Sequence, residues 1–376
     1  MRGAVWSNPV RVTFGAGRLE ELPALAASRD CVLVTFPEAR ESGLEARIAA
    51  LLGPRLRAIE RDIAPNPDVA WFSGRHEASW REHPDAVLVA VGGGSVLDTA
   101  KILQVRTASG RFDELHAALA SGDAPRIAAA RELIAVPTTA GTGSEVTPWA
   151  TLWDASAARK LSLHTPLSWA EHALVDPELT LTLPAAVTRN GALDALSHSL
   201  EAIWNRNANP VSDVLAVDAA RTIVETLPAL LDNPSSLALR TAMSRAALTA
   251  GLAFSNTATA LAHSISYEMT LRHGLPHGLA CSFTLPMVWR MAEGADAERD
   301  AVLARIFGPS VAAPASRLDA FLRSVGVATA FAHYGVAPAE ARAMVEHAMD
   351  GPRGRNFIGP WQAAWHGADE PALEAS

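Results

Sequence analysis

Apolar and polar positions run through this chain in two rhythms. In the first half, short β-like runs (Val10–Phe14, Cys31–Thr35, Ala86–Val91 and Leu133–Pro137) alternate with stretches whose apolar residues recur at helical spacing, among them Leu19–Ala27, Gly43–Leu52 and Val96–Ala108. Apolar strands alternating with amphipathic helices predict a mostly parallel sheet covered by helices. Beyond Pro184 the runs lengthen to Arg189–Trp204, Val211–Leu227, Ser235–Phe254 and Ala258–Thr270, rich in Ala and Leu and poor in β-branched runs. That pattern predicts an all-helical second half. Pro177 and Pro184 punctuate the Asp176–Thr188 segment between them. The expected division is therefore an α/β domain over 1–184 and an all-helical domain over 185–376.

The length of 376 residues supports this division, because it exceeds what one hydrophobic core usually holds. Hydrophobic residues make up 49% of the chain and charged ones 19%, which leaves too little polarity for long disorder. The formal charge of −8 comes with no dense basic stretch, so a nucleic-acid surface is not expected. No run approaches the roughly 18 uncharged apolar residues of a membrane span, and MRGAVWSNPV has no apolar signal core. Cys31 and Cys281 lie far apart in apolar surroundings with no CxxC partner, and read as reduced packing residues. A cytoplasmic protein is expected. Of the 32 basic residues only Lys101 and Lys160 are lysines, which marks two places where a compact ammonium is used instead of the planar guanidinium.

Candidate chemistry begins with two glycine-rich turns. Pro84 to Lys101 reads as strand, turn and helix, with Gly92, Gly93 and Gly94 at the turn and Ser95 placed to cap the helix. Amide N–H groups at such a helix start, added to its dipole, suit a pyrophosphate. This is not the GxGxxG fingerprint, and a plain strand–helix turn would use the same glycines. A second turn, Val136–Val146, is crowded with hydroxyls, of which Thr138, Thr139, Thr142 and Ser144 are placed to meet phosphate or ribose oxygens, or to satisfy their own backbone. Two such turns after parallel strands are what a nucleotide across the carboxyl edge of a sheet needs.

A metal constellation lies in the helical half. Asp194 and His198 are four apart on one helix face, and His263, His273 and His277 fall within fifteen positions. One carboxylate and several imidazoles suit Fe(II), Zn(II), Ni(II) or Co(II) over Ca or Mg.

Taken together, these motifs resemble the iron-containing (group III) alcohol dehydrogenase family over nearly the whole chain. The resemblance rests on Val12–Gly17, on Gly92–Lys101 as GGGSxxDxAK, on Pro137–Thr147 as PTTAGTGSEVT, on Asp176-Pro177, and on Leu193–His198. The spacing Asp194-x3-His198 followed by His263-x13-His277 matches the family's metal-ligand spacing. It implies an N-terminal α/β dinucleotide-binding domain and an all-helical metal domain, a dehydroquinate-synthase-like fold. It also implies that Asp194, His198, His263 and His277 bind one divalent metal, Fe(II) first and Zn(II) second. Gly92, Gly93, Gly94 and Ser95 would hold the pyrophosphate of NADH or NADPH, and Thr138, Thr139, Thr142 and Ser144 would line its nicotinamide side. Asp98 and Lys160 would line the active-site cleft. The implied reaction is hydride transfer from the reduced nicotinamide to an aldehyde polarised by the metal, with His273 as one candidate for the proton path. Homodimers or larger oligomers are usual in the family.

This chain departs from the family pattern in two places. Tyr267 stands where many members have a second histidine four residues after the third ligand, and a phenol with an ordinary pKa near 10 is a poor proton relay. After the Cys31–Thr35 run the chain reads Thr35-Phe36-Pro37, without the carboxylate that would grip a ribose 2′-hydroxyl, so use of both NADH and NADPH is expected. Within the family, Ala262–Tyr267, Gly274–Cys281 and Ser255–Thr257 look most like the branch that reduces phosphonoacetaldehyde to 2-hydroxyethylphosphonate in phosphonate metabolism. Arg272, Arg353 and Arg355 are the candidate grips for its dianion. Sulfoacetaldehyde, succinic semialdehyde, lactaldehyde or an alkanal are alternative substrates. A sugar-phosphate cyclase or lyase on the related fold is an alternative reaction class, and a non-catalytic binding protein a more distant one.

Overall fold

The computed structural model describes residues 5–157, 159–308 and 313–360. The chain forms two compact units, one of Asn8–Thr139 with Gly143–Thr180, the other from Leu181 onward with Ala140–Thr142 and the N-terminal residues up to Ser7.

The first unit is built on a six-stranded parallel sheet. Its strands are β1 (Arg11–Phe14), β2 (Cys31–Val34), β3 (Leu56–Glu60), β4 (Val87–Gly92), β5 (Leu133–Pro137) and β6 (His172–Val175), in the order β1-β6-β5-β4-β2-β3. Of the four inner strands, β2, β4 and β5 are buried at every position, which is why they read as unbroken apolar runs; the edge strands β1 and β3 are partly exposed. Leu33, Val89, Val91, Ile134 and Val136 form a core with Leu19, Leu22, Ile48 and Leu52 from flanking helices. The chain adds β3 on one side of β2 and then β4 on the other, so the strand order switches there, the place where open α/β sheets bind ligands beyond their carboxyl ends.

Two local expectations need correcting. The helix expected over Val96–Ala108 ends at Gln104: α1 spans Gly94–Gln104, and Val105–Thr107 leaves it to pair antiparallel with Ile127–Ala130. The amphipathic stretch Leu19–Ala27 divides into a 3-10 turn, Arg18–Glu21, and a short helix, Leu22–Ala26, whose second residue is Pro23. A further antiparallel ribbon, Trp149–Asp154 with Arg159–His164, is absent from the expected strands. Its buried positions alternate with partly exposed ones, a weaker signal than a wholly apolar run.

The second unit is helical throughout its described residues, apart from one isolated bridge between Asn205 and Phe357. The expected helices appear as α2 (Ala185–Ile203), α3 (Pro210–Asp232), α4 (Leu237–Thr257) and α5 (Leu261–His273), followed by the short α6 (His277–Ser282). Asn209 caps α3 through Val211 and Ser212 N–H, with Pro210 at the first turn. Helix α6 lies so close to α2 that a Cβ on Gly278 would stand 1.9 Å from the Asn190 carbonyl oxygen. The turn at Gly141 also meets Gly191 of α2, a Cβ on Gly141 falling 2.7 Å from Gly191 Cα. No helix among the described residues is long and apolar enough to cross a membrane.

Candidate metal centre and cofactor loop

Asp194, His198 and Glu201 occupy positions i, i+4 and i+7 of α2, one face of the helix, and all three are buried. His263 enters from α5 and His277 from the first residue of α6. Asp194 Oδ1 lies 3.4 Å from His263 Nε2 and 3.7 Å from His277 Nε2, while Cys281 Sγ lies 3.6 Å from His277 Nε2. These four residues converge, with one donor atom from each all within 4.8 Å of one another.

The cluster also holds one residue that was not expected from sequence. Cys281, read as a packing residue, stands beside these groups because it is one helical turn beyond His277 on α6. His198 joins them from α2, one turn beyond Asp194. Its Nε2 is 3.8 Å from Asp194 Oδ1, and its ring lies flat against Phe254, centroids 4.0 Å apart at 13°, and against His263 at 4.6 Å. Burial pushes its imidazole down to about 4, into the neutral form that a metal binds.

A divalent ion fits this cluster on the evidence of its own polar atoms. Asp194 is 3% exposed and His263 2%, yet Asp194 Oδ1 and His263 Nε2 face each other without a hydrogen bond to either. Buried polar atoms left unpaired cost about 1–3 kcal/mol each, so two together point to a cation between them. Burial works to raise the Asp194 carboxyl, but the imidazoles of His198, His277 and His263 pull it well below the usual range, so it is an anion. Glu201 supplies the supporting contact that sequence reading missed. It accepts hydrogen bonds from Ala260 N–H (2.9 Å), His263 N–H (3.1 Å) and His263 Nδ1 (2.6 Å), which turns Nε2 toward the cluster. The only sequence signal for it is its place on the Asp194–His198 stripe.

The other nominated residues of this unit separate cleanly. Arg272 is exposed and paired with Glu268 at 3.0 Å, and Arg355 is exposed and reaches the Asp350 carbonyl at 3.3 Å. Neither is held inward, because each points from its turn toward solvent. Arg353 differs: its guanidinium lies 5.0 Å over the Tyr267 ring, and among the described residues no hydrogen bond or ion pair engages it. Its charge acts on both His198 and Glu201. Tyr267, nominated as an altered relay, carries Arg353 on its ring face. His273 closes α5, and its Nε2 meets Glu340 at 3.2 Å.

In the first unit, α1 starts at Gly94 with Gly93 at its cap position and no side-chain cap. Ser95 lies inside the helix instead of capping it, and its hydroxyl accepts from Asn66 N–H at 3.2 Å. An uncapped N-terminus after a glycine turn leaves amide donors for an anion. Gly92 is required there, since a Cβ would fall 2.5 Å from Val96 Cγ2, and a Cβ on Gly93 would press on Thr139 at 3.3 Å. Thr138 N–H donates to the Gly92 carbonyl at 3.0 Å, joining the two turns.

Ser144 and Asp98, nominated for the cofactor's nicotinamide side and the cleft, are hydrogen-bonded to each other. The Ser144 hydroxyl donates to Asp98 Oδ1 at 2.7 Å, and Asp98 Oδ2 accepts from Thr151 N–H at 2.8 Å. Lys101, fully buried, points its Nζ at the carbonyls of Ser144 (2.5 Å), Thr147 (2.7 Å) and Trp149 (2.9 Å) and at the Ser144 hydroxyl (2.9 Å). Four acceptors around one point explain why this cation is a lysine. Lys160 lies 5.6 Å over the Trp153 ring on the ribbon. Thr142 belongs with the helical unit, in the Ala140–Thr142 turn beside Gly191. Past β2, the Thr35 hydroxyl donates to the Val91 carbonyl at 2.9 Å, so it serves the sheet.

Comparison with known proteins agrees with this architecture. Residues 9–177 match the iron-containing alcohol dehydrogenase family, and residues 188–362 match the family's C-terminal domain. The chain is 30% identical over 360 residues to an NAD-dependent methanol dehydrogenase of Bacillus methanolicus, covering 91% of this chain and 92% of that one. It is 35% identical over 286 residues to a phosphonoacetaldehyde reductase of Streptomyces viridochromogenes, covering 71% of each. Among solved structures, a sulfoacetaldehyde reductase of Bifidobacterium kashiwanohense in complex with NAD+ superposes with a TM-score of 0.88 at 27% identity, covering 97% of both chains.

Proposed function

We propose that this chain, which belongs to the iron-containing alcohol dehydrogenase family, reduces a small aldehyde bearing a tetrahedral oxyanion to its primary alcohol, with phosphonoacetaldehyde and 2-hydroxyethylphosphonate as the substrate pair. Membership makes it an oxidoreductase, an alcohol dehydrogenase or aldehyde reductase working with NAD(H) and a divalent metal. The observation that carries the anionic substrate is Arg353. A half-buried guanidinium, laid on an aromatic ring near the metal donors and engaged by no carboxylate among the described residues, has donors to offer a bidentate oxyanion. The Streptomyces relative and the Bifidobacterium structure support it, since the aldehydes they are named for both carry such a group.

In this reading Asp194, His198, His263 and His277 hold the metal, with Glu201 fixing the His263 ring. The bound ion, Fe(II) or Zn(II), supplies Lewis-acid polarisation of the aldehyde oxygen. The amides at Gly93–Ser95 bind the cofactor pyrophosphate, and Arg353 orients the substrate by its anion. With a phenol of ordinary pKa near 10 at position 267, the product oxygen takes its proton from water, a ribose hydroxyl or a nearby imidazole such as His273. The turn after β2 lacks a carboxylate at Thr35–Pro37, so NADH and NADPH both serve.

The test is oxidation of NADH and NADPH by protein loaded with Fe(II) or Zn(II), against phosphonoacetaldehyde, sulfoacetaldehyde, succinic semialdehyde and propanal. Phosphonoacetaldehyde is expected to lead propanal in kcat/KM by roughly tenfold or more, about 1.4 kcal/mol. Equal rates for all four remove the anionic reading and leave the family assignment intact. Sulfoacetaldehyde in the lead transfers the role to the sulfonate, the reading that the Bifidobacterium structure favours.

A further inference from the structure

Resting on the reading of Arg353 as the grip on the substrate's anion, we propose that Asn356 is a specificity-determining positioning residue. Its side-chain amide fastens the turn that carries Arg353 to the connection that starts α5, the helix of His263 and Tyr267. Asn356 Nδ2 donates to the Thr259 carbonyl at 2.9 Å. Thr259 lies in the connection between α4 and α5, four residues before His263. Tyr267, on whose ring Arg353 rests, is one helical turn beyond His263 on α5.

The turn needs such a fastening because it is too short to hold itself. Arg353 precedes a single 3-10 turn, Gly354–Asn356, which follows the helix Pro338–Asp350. Close packing sets one side of it. A Cβ on Gly354 would stand 2.1 Å from the Ala348 carbonyl oxygen, and the Ser264 hydroxyl of α5 donates to that same carbonyl at 2.9 Å. Hydrogen bonds set the other side. Arg206 N–H donates to the Asn356 carbonyl at 2.7 Å and Arg206 Nε to the Phe357 carbonyl at 3.1 Å, while the Asn356 amide reaches Thr259.

The connection that Asn356 grips is itself held in one shape. Ala258 has φ 61° and ψ 176°, backbone that residues other than glycine rarely adopt. Its carbonyl accepts from Asn205 Nδ2 at 3.2 Å and from the Thr257 hydroxyl at 3.0 Å, and the Ala260 and His263 N–H groups that follow end on Glu201. A guanidinium on a long flexible stem recognises an oxyanion selectively only when the backbone beneath it is fixed relative to the reacting carbon. Stacking on Tyr267 restrains the tip of Arg353 and Asn356 restrains its root. Both restraints end on α5, so the grip and the metal ligand His263 share one support.

The experiment is a double-mutant cycle on the metal-loaded full chain: wild type, Asn356→Ala, Arg353→Ala and the double variant. Each is taken through steady-state kinetics on the anionic phosphonoacetaldehyde and sulfoacetaldehyde and on neutral propanal, with metal analysis alongside. Asn356→Ala is expected to raise KM for the anionic aldehydes roughly three- to tenfold, with kcat, propanal kinetics and metal content little changed. In the Arg353→Ala background the same substitution is expected to add less than about twofold, because Asn356 acts through Arg353. A merely structural role predicts equal losses on all aldehydes, or an undiminished loss in the Arg353→Ala background, and either result overturns the proposal. Asn356→Ala matching wild type, beside Arg353→Ala impaired on the anionic aldehydes alone, overturns the positioning role and leaves the anion grip standing. Arg353→Ala unimpaired on the anionic aldehydes overturns the grip and the proposal with it. If Asn356→Ala does not fold, Asn356→Leu, which is similar in shape and lacks the donor, takes its place in the cycle.

Discussion

Three arginines close to the metal ligands in sequence or at the chain's end have three different fates, and the difference is chemical. Arg272 spends its charge on Glu268 at the surface and Arg355 on a carbonyl, whereas Arg353 is stacked on Tyr267 with its donors unspent among the described residues. Losing a charge-assisted contact costs about 1.5–3 kcal/mol, so Arg353→Ala should lower kcat/KM for phosphonoacetaldehyde by roughly 10–100-fold while leaving propanal nearly unchanged. Arg272→Ala should alter neither, as steady-state kinetics on both aldehydes will show. Lys101 is the other residue whose environment dictates its type. Lys101→Met would remove the ammonium's hydrogen bonds to the Ser144, Thr147 and Trp149 carbonyls, and a buried polar group that loses its partner costs about 1–3 kcal/mol. Denaturant unfolding of that variant should show a loss of at least about 3 kcal/mol, and a loss under about 1 kcal/mol would mean the ammonium is dispensable.

At the scale of elements, the metal donors are brought together by the packing of α5 and α6 against α2. Helix α6 is only six residues long and cannot hold itself in place. Its position depends on Gly278 meeting the α2 backbone at Asn190, with no room for a methyl group. Gly278→Ala should force the two helices apart at a cost of about 1–3 kcal/mol and carry His277 and Cys281 away from Asp194. The expected result is a lower melting temperature together with metal content well below one ion per chain. Full metal occupancy in a folded variant would show that the contact does not position the site. The cofactor turn follows a similar logic in the other unit, where Gly92 permits β4 to run into α1 under Val96.

At the scale of the whole molecule, stability responds to buried titratable groups outside the functional site. His76 is 1% exposed, its Nε2–H donates to the Val105 carbonyl at 2.8 Å, and its Nδ1 has no partner. Burial lowers its pKa below the ordinary value near 6.5, so the folded chain keeps it neutral while the unfolded chain protonates it first. Its contribution to stability is therefore complete above about pH 6.5 and is lost as pH falls through the lower folded pKa. His76→Gln retains a donor for Val105 but cannot take up the proton. Its unfolding free energy should fall less steeply than the wild type's below about pH 6.5, and parallel slopes would assign the acid sensitivity elsewhere.

Patterns that repeat over a few residues are legible in the amino-acid sequence alone. The apolar runs of β2, β4 and β5, the Ala- and Leu-rich helices, the glycine turn after β4 and the Asp194–His198 pair all follow from strand and helix periodicity, which is local. The Trp149–His164 ribbon and the strand at Val105–Thr107 are not, because short half-buried strands take their identity from the partner they pair with. The same limit governs the site. Which arginine turns inward, that Glu201 steers His263, that Ser144 serves Lys101 and Asp98, and that Cys281 stands beside the metal candidates are matters of packing between segments distant in the chain. Local spacing marks which residues can share a helix face; only the close contact of α6 with α2 decides which of those faces meet.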